Sequence, residues 1–207
     1  MPSKSPSTPE QDALFSLENE PELPTGETLD DVYAAIADHR CGLCQDKSRF
    51  VFGEGKAGAK LMFIGESPSH DDAIVGRPFL GPTGEILDKI IAAIGFKRED
   101  CYLSNVVKCP YPARSKPPRE EIEACAPLLF RQIIAVQPKV IVALGTTAAQ
   151  IILGSKEPIS KLRGSLSTWR GIKVMPTFNP AYLLRVPEKK REAWEDLKQV
   201  RDYLKTL

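Results

Sequence analysis

A chain of 207 residues with 42% hydrophobic content is long enough to bury one sizeable core. Its formal net charge of +1 excludes a basic field over the whole surface, so any nucleic-acid site has to be a local patch. No apolar run reaches membrane-spanning length and no secretory h-region follows Met1, so the expectation is a cytoplasmic protein with no membrane partner.

Residues 1–26 are rich in Ser, Pro and Glu with little apolar periodicity, the composition of a disordered tail, which leaves 27–207 as the folded domain. Thr28 is a candidate N-cap for a helix with Leu29, Val32, Tyr33 and Ile36 on one face, and this helix delivers Cys41. Residues 50–52 read as a short strand before a glycine-rich turn. Residues 61–64 are apolar, break at Gly65 and run through Glu66 and Ser67 into Pro68 and a polar turn, the pattern of a buried parallel strand that opens onto a functional loop. Neither G-x-x-x-x-G-K-[ST] nor G-x-G-x-x-G is present, so the turn is no phosphate cradle.

Residues 81–94 carry Ile86, Leu87, Ile90, Ile91 and Ile94 on one helical face and stop at Gly95. Residues 101–107 form a second buried strand, in which Asn105 is either a satisfied turn residue or a reader of ligand. The prolines of 110–118 forbid helix and give a loop with Arg114 and Lys116. A helix over 120–136 follows and carries Cys125. Residues 139–144 are a third, near-continuously β-branched strand, followed by a helix over 148–153 and a basic loop holding Lys161 and Arg163. Residues 165–169 and 172–175 read as a hairpin or two strands. The chain then breaks at Asn179-Pro180, resumes as a short helix over 181–185 and ends in a helix over 188–204 with Trp194, Leu197, Val200 and Leu204 on one face. Strands alternating with helices give a parallel sheet covered on both faces, with three polar strand ends on one edge.

Five cysteines without a secretion signal argue against a disulfide framework. Cys101 lies in an apolar strand and reads as core. Cys41 and Cys44 form a CxxC pair, and with Cys109 and Cys125 they can close a four-sulfur site, the other reading being inert burial. The spacing does not choose between zinc and an iron–sulfur cluster. His39, beside the pair, is a surface histidine or a ligand.

Five blocks in order carry a likeness: Gly65-Glu66-Ser67-Pro68; Gly76-Arg77-Pro78-Phe79-Leu80-Gly81; Ser104-Asn105-Val106-Val107-Lys108-Cys109; Glu120-Glu121-Ile122-Glu123-Ala124-Cys125; and Asn179-Pro180-Ala181-Tyr182-Leu183-Leu184-Arg185. Together they resemble the uracil-DNA glycosylase superfamily, most closely its family four, the iron–sulfur branch, from about Cys41 to Leu204. The resemblance implies a three-layer α/β/α fold with a central four-stranded parallel sheet, and a monomer that flips uracil out of single- or double-stranded DNA and hydrolyses its glycosidic bond. It implies a structural 4Fe-4S cluster on Cys41, Cys44, Cys109 and Cys125, with zinc the alternative. Phe79 matches the aromatic on which the base stacks, and Asn105 the amide that reads its edge. Gly65, Glu66 and Ser67 match the pocket floor. Asp72, with Asp71, is either a charge-stabilising carboxylate or part of a solvated turn. Leu183 matches the wedge that fills the vacated stack, and Arg114, Lys116, Arg163 and Arg185 are candidates for phosphate contacts.

The chain departs from the family at three places. Asn179 stands where family four has a histidine that donates to uracil O2. Ser69-His70 replaces a glycine and an acidic run, so His70 is either an electrostatic substitute or a bystander, and Ser67 lacks the carboxylate of the fastest branch. The expected alternatives are therefore a shifted base preference or a non-catalytic or covalent binder of uracil-containing DNA. The loop over 110–118 has no histidine for covalent trapping.

Overall fold

Residues 24–39, 41–42, 49–111 and 116–207 are described by a computed structural model. Most of the expected tail, together with Cys44 and Arg114, lies outside the described residues. At the centre are β2 (Leu61–Gly65) and β4 (Val140–Leu144), in which every residue is buried, as the unbroken apolar runs require of strands covered on both faces. β2 pairs in parallel with β3 (Tyr102–Asn105) on one side and β4 on the other, and β4 pairs in parallel with β6 (Ile172–Thr177). The sheet is larger and more mixed than the expected four parallel strands. Two short antiparallel edges, β1 (Glu54–Gly55) and β5 (Ser167–Trp169), complete a six-stranded order β1-β3-β2-β4-β6-β5.

Alternation along the strands splits the core in two. Met62, Ile64, Ile141 and Ala143 point to one face, where they meet Leu129 and Ile133 of α4 (Arg119–Val136) and Ile151 of α5 (Thr146–Leu153). Leu61, Phe63, Val140 and Val142 point to the other, against Leu87 and Ile91 of α3 (Gly81–Ala93) and Leu197 and Val200 of α8 (Lys190–Leu204). Two faces, each with its own helices, make three layers. Around them lie α1 (Leu29–Ala34), capped by Thr28 as expected, α2 (His70–Val75), α6 (Ile159–Leu162) and α7 (Pro180–Arg185).

Three expectations shift. Residues 50–52 are not a strand; the Val51 N–H donates to the Lys108 carbonyl beyond β3 at 2.7 Å, and the Phe52 carbonyl accepts from the Ser104 hydroxyl of β3 at 3.2 Å. The edge strand forms two residues later, past Gly53. The strand over 101–107 ends at Asn105, although Val106 and Val107 still donate to the Gly65 and Glu66 carbonyls at 2.9 Å. The polar turn after Pro68 becomes α2, because Ser69 caps the Asp72 N–H while Asp72 accepts from the Ser69 N–H. No helix among the described residues is long and apolar enough to cross a membrane.

Candidate active site and metal centre

The register of β2 on β3 sets Gly65 beside Asn105 at the carboxyl edge of the sheet, the edge where α/β folds bind ligands. A Cβ at Gly65 would overlap the Asn105 amide oxygen and stand 2.8 Å from Cζ of Phe79. Only glycine lets an aromatic edge and a carboxamide converge there. Asn105 is 2% exposed and its Oδ1 finds no hydrogen-bond partner among the described residues. A buried acceptor left unmade costs about 1–3 kcal/mol, so such an atom in a cleft points to a donor brought by a ligand.

Phe79 is 6% exposed and sits at φ 56°, a left-handed conformation that costs a non-glycine residue on the order of 1–3 kcal/mol. Asp72 helps to hold that turn. Its Oδ1 accepts from the Leu80 N–H at 2.8 Å and its Oδ2 from the Ser69 N–H at 3.0 Å. Both oxygens engage backbone, so the carboxylate shapes the turn carrying Phe79; Asp71 faces solvent.

Glu66 follows β2 and accepts a hydrogen bond from the Thr147 hydroxyl in the first turn of α5. Asn179 follows β6 and caps α7, its Oδ1 accepting from the Ala181 N–H at 2.8 Å while its Nδ2 donates to the Leu144 carbonyl at 3.2 Å. Those contacts orient the amide and leave its second N–H for a ligand. Gly145, at φ 97°, permits the approach, since a Cβ there would lie 3.2 Å from that of Asn179.

These groups line one cleft of about 1020 Å³, together with Ser67, His70, Lys116 and Arg185. The structure thus brings together Glu66, Ser67, His70, Asp72, Phe79, Asn105, Asn179, Lys116 and Arg185, with Gly65 beneath. Two expected DNA contacts are elsewhere. Leu183 is 1% exposed and packs with Phe178 and Ala193, because α7 turns that face inward; its exposed neighbour is Leu184. Arg163 is bidentate on Asp196 at 2.8 and 3.0 Å, reaches Glu192 and lies over the Phe178 ring, so it ties α8 to the body. Burial pushes the Asp196 carboxyl up, against the Thr177 hydroxyl and Arg163, which pull it down.

Sequence reasoning passed over Arg49, which is exposed and lines the cleft, and Thr147. A lone basic residue and a helix-start threonine carry no local signal. It also passed over Lys108, fully buried behind the site, whose Nζ donates to Ser104 Oγ and the Asn105 carbonyl at 2.7 Å and to Gln132 Oε1 at 2.6 Å. Burial draws its pKa down to about 7, opposed by the nearby Cys125.

On the α4 side of the sheet, ligand atoms of His39, Cys41 and Cys125 lie within 4.8 Å of one another. The two sulfurs are 4.0 Å apart and His39 Nε2 is 3.5 Å from the Cys125 sulfur. Soft thiolates with an imidazole suit a metal, and Cys109 is fully buried at the far end of the β3 segment. Burial pushes the Cys101 thiol up to about 12, which fits its reading as core.

Loops from four parallel strands that close a slot around an aromatic edge and an orphaned amide oxygen define an α/β protein built to hold a flat, hydrogen-bonding ring. The chain matches the model of the Uracil DNA glycosylase superfamily over residues 52–198, and it belongs to that superfamily. It is similar to the type-4 uracil-DNA glycosylase of Thermotoga maritima, 40% identical over 80% of this chain and 88% of the relative. The type-4 enzymes of Archaeoglobus fulgidus, 37% identical over 84% and 92%, and of Saccharolobus solfataricus, 37% over 80% and 81%, stand alongside it.

Proposed function

We propose that the protein is a uracil-DNA glycosylase of base-excision repair, which flips uracil out of DNA and hydrolyses the bond between C1′ and N1 to leave an abasic site. The unpartnered Oδ1 of Asn105 beside the Phe79 ring carries this reading. A flipped uracil brings the missing donor, N3–H, and the amide nitrogen can give to O4; cytosine lacks that N3 proton. Stacking on Phe79 offsets the few kcal/mol lost when the base leaves the helix.

Bond breaking leaves an oxocarbenium-like sugar and a uracil anion. We assign stabilisation of the anion to the second N–H of Asn179, a donor fixed in place before the reaction by Leu144 and Ala181. A preorganised donor of this kind is worth roughly 10²–10³ in kcat. Glu66 and His70 supply the carboxylate and imidazole that orient the water adding to C1′, Ser67 completes the floor, and Asp72 positions the Phe79 turn. Lys116, Arg185 and Arg49 are the cleft-side cations suited to phosphates. We further propose that the protein acts as a cytoplasmic monomer.

We infer a structural 4Fe-4S cluster on Cys41, Cys44, Cys109 and Cys125, which would pin the segment after α1 and the loop after β3 onto α4 and supply no step of the hydrolysis. Zinc is the second reading, favoured by the 4.0 Å between the Cys41 and Cys125 sulfurs, the span of two thiolates about 2.3 Å from one tetrahedral ion.

The test is release of uracil from a labelled oligonucleotide, read by cleavage at the abasic site, for the wild type, Asn105→Ala and Phe79→Ala. The wild type should cut and both variants should lose activity. Full activity in both variants would remove the site. The same assay across deaminated and mismatched bases reports the base preference that Asn179 sets.

A further inference from the structure

We propose that Arg98 is a positioning residue that locks Phe79 in its left-handed backbone conformation and thereby sets the stacking platform of the pocket. The inference rests on the reading of Phe79 as that platform.

Arg98 follows α3, in the short 3-10 turn Arg98–Asp100, and its side chain is 17% exposed. Two carboxylates aim its guanidinium: Glu54 of β1 takes Nε at 3.2 Å and Asp88 of α3 takes Nη1 at 2.9 Å. With the fork held from both sides, Nη2 donates to the Pro78 carbonyl at 2.6 Å and Nη1 to the Phe79 carbonyl at 3.3 Å. These carbonyls belong to the two peptide planes on either side of the Phe79 Cα. Fixing both planes fixes the φ of 56° between them.

Other contacts converge on the same turn, Arg77 to Leu80. Glu54 takes Arg77 in a bidentate pair at 2.8 and 2.9 Å, anchoring the segment two residues upstream. The Leu80 N–H is held by Asp72 at 2.8 Å, one residue downstream. The Phe79 carbonyl occupies the space that a Cβ on Gly84 would need, so α3 backs the turn at contact distance. A planar, five-donor cation suits such a task, since an ammonium cannot span two carbonyls and two carboxylates in one plane. Hydrogen bonds from Arg98 and to Asp72, with α3 packed behind, hold the aromatic in a conformation its own backbone disfavours.

The experiment is a double-mutant cycle on single-turnover uracil release, with Arg98→Met, Arg98→Lys, Phe79→Ala and the Phe79→Ala/Arg98→Met double variant. Arg98→Met should lower the rate roughly 10- to 100-fold, the scale of an ångström misplacement, and Arg98→Lys should recover part of it. Added to Phe79→Ala, Arg98→Met should cost nothing more, because its effect passes through the ring. Losses that multiply in the double variant, or wild-type rates in Arg98→Met, would overturn the clamp while leaving the pocket standing. Full activity in Phe79→Ala would instead remove the pocket reading and the clamp with it. If Arg98→Met does not fold, the same cycle is read with Arg98→Lys, and additivity there is equally decisive against the proposal.

Discussion

At Gly65 the backbone is ordinary β-strand, with none of the positive φ that often explains a glycine, so its lack of a side chain serves space and not conformation. A methyl there meets the Asn105 oxygen and comes within 3.0 Å of two Phe79 ring carbons. Gly65→Ala is therefore expected to fold, with at most a small change in melting temperature, yet to lose uracil release by ~10²-fold or more as the slot fills. A large fall in melting temperature with activity kept per folded molecule would mean that the three residues are core packing. The sequence marked Gly65 as a strand end and Asn105 as a polar break in an apolar run. It did not show that the two are neighbours, because a parallel register joins residues forty apart and is settled by the pairing of whole strands.

Among the elements, α7 shows where a motif match and helical geometry part. Pro180 at its first turn and Asn179 at its cap start the helix in a fixed phase. That phase turns Leu183 toward Phe178 and Ala193 and leaves Leu184, 41% exposed, on the outside. Leu183→Ala should cost about 2–4 kcal/mol of unfolding free energy in a denaturant titration, as a truncated core leucine does. Leu184→Ala should change it by less than about 0.5 kcal/mol while reducing uracil release from duplex DNA more than from single strands, where no stack has to be refilled. The reverse pattern would restore Leu183 as the wedge. Similar limits hid α2, six residues long, whose existence depends on the reciprocal Ser69–Asp72 cap more than on an apolar face. Arg163 looked like one basic residue in a basic loop because its carboxylate partners lie about thirty residues on.

For the whole molecule, the alternation of apolar strands and amphipathic helices was enough to foresee a sheet covered on both faces, since β2, β3 and β4 are buried over their full length and the long helices pack an apolar side on them. The β5 edge was legible as one arm of the expected hairpin over 165–175, but the β1 edge was not, because a two-residue strand leaves no periodicity to read. The cysteine centre relates to this architecture in a testable way. Cys125 is on α4, and Cys41 follows α1, which is tied to the same helix by the Glu27–Arg131 ion pair at 2.6 Å. Among the described residues, the opposite face, with Leu87, Ile91, Leu197 and Val200, includes none of Cys41, Cys109 and Cys125. A metal bound only by the folded state adds stability by mass action, so its removal should loosen the α1–α4 side and spare the α3–α8 side. Protein purified without oxygen is expected to carry iron and acid-labile sulfide; zinc without sulfide would establish the single-ion reading. Cys125→Ser should lose the metal, melt several degrees lower and, in hydrogen exchange, lose protection in α1 and the first turns of α4 while α3, α8 and β2 keep theirs. Equal loss of protection on both faces would mean that the centre supports the entire core, and an unchanged melting temperature would mean that it supports none of it.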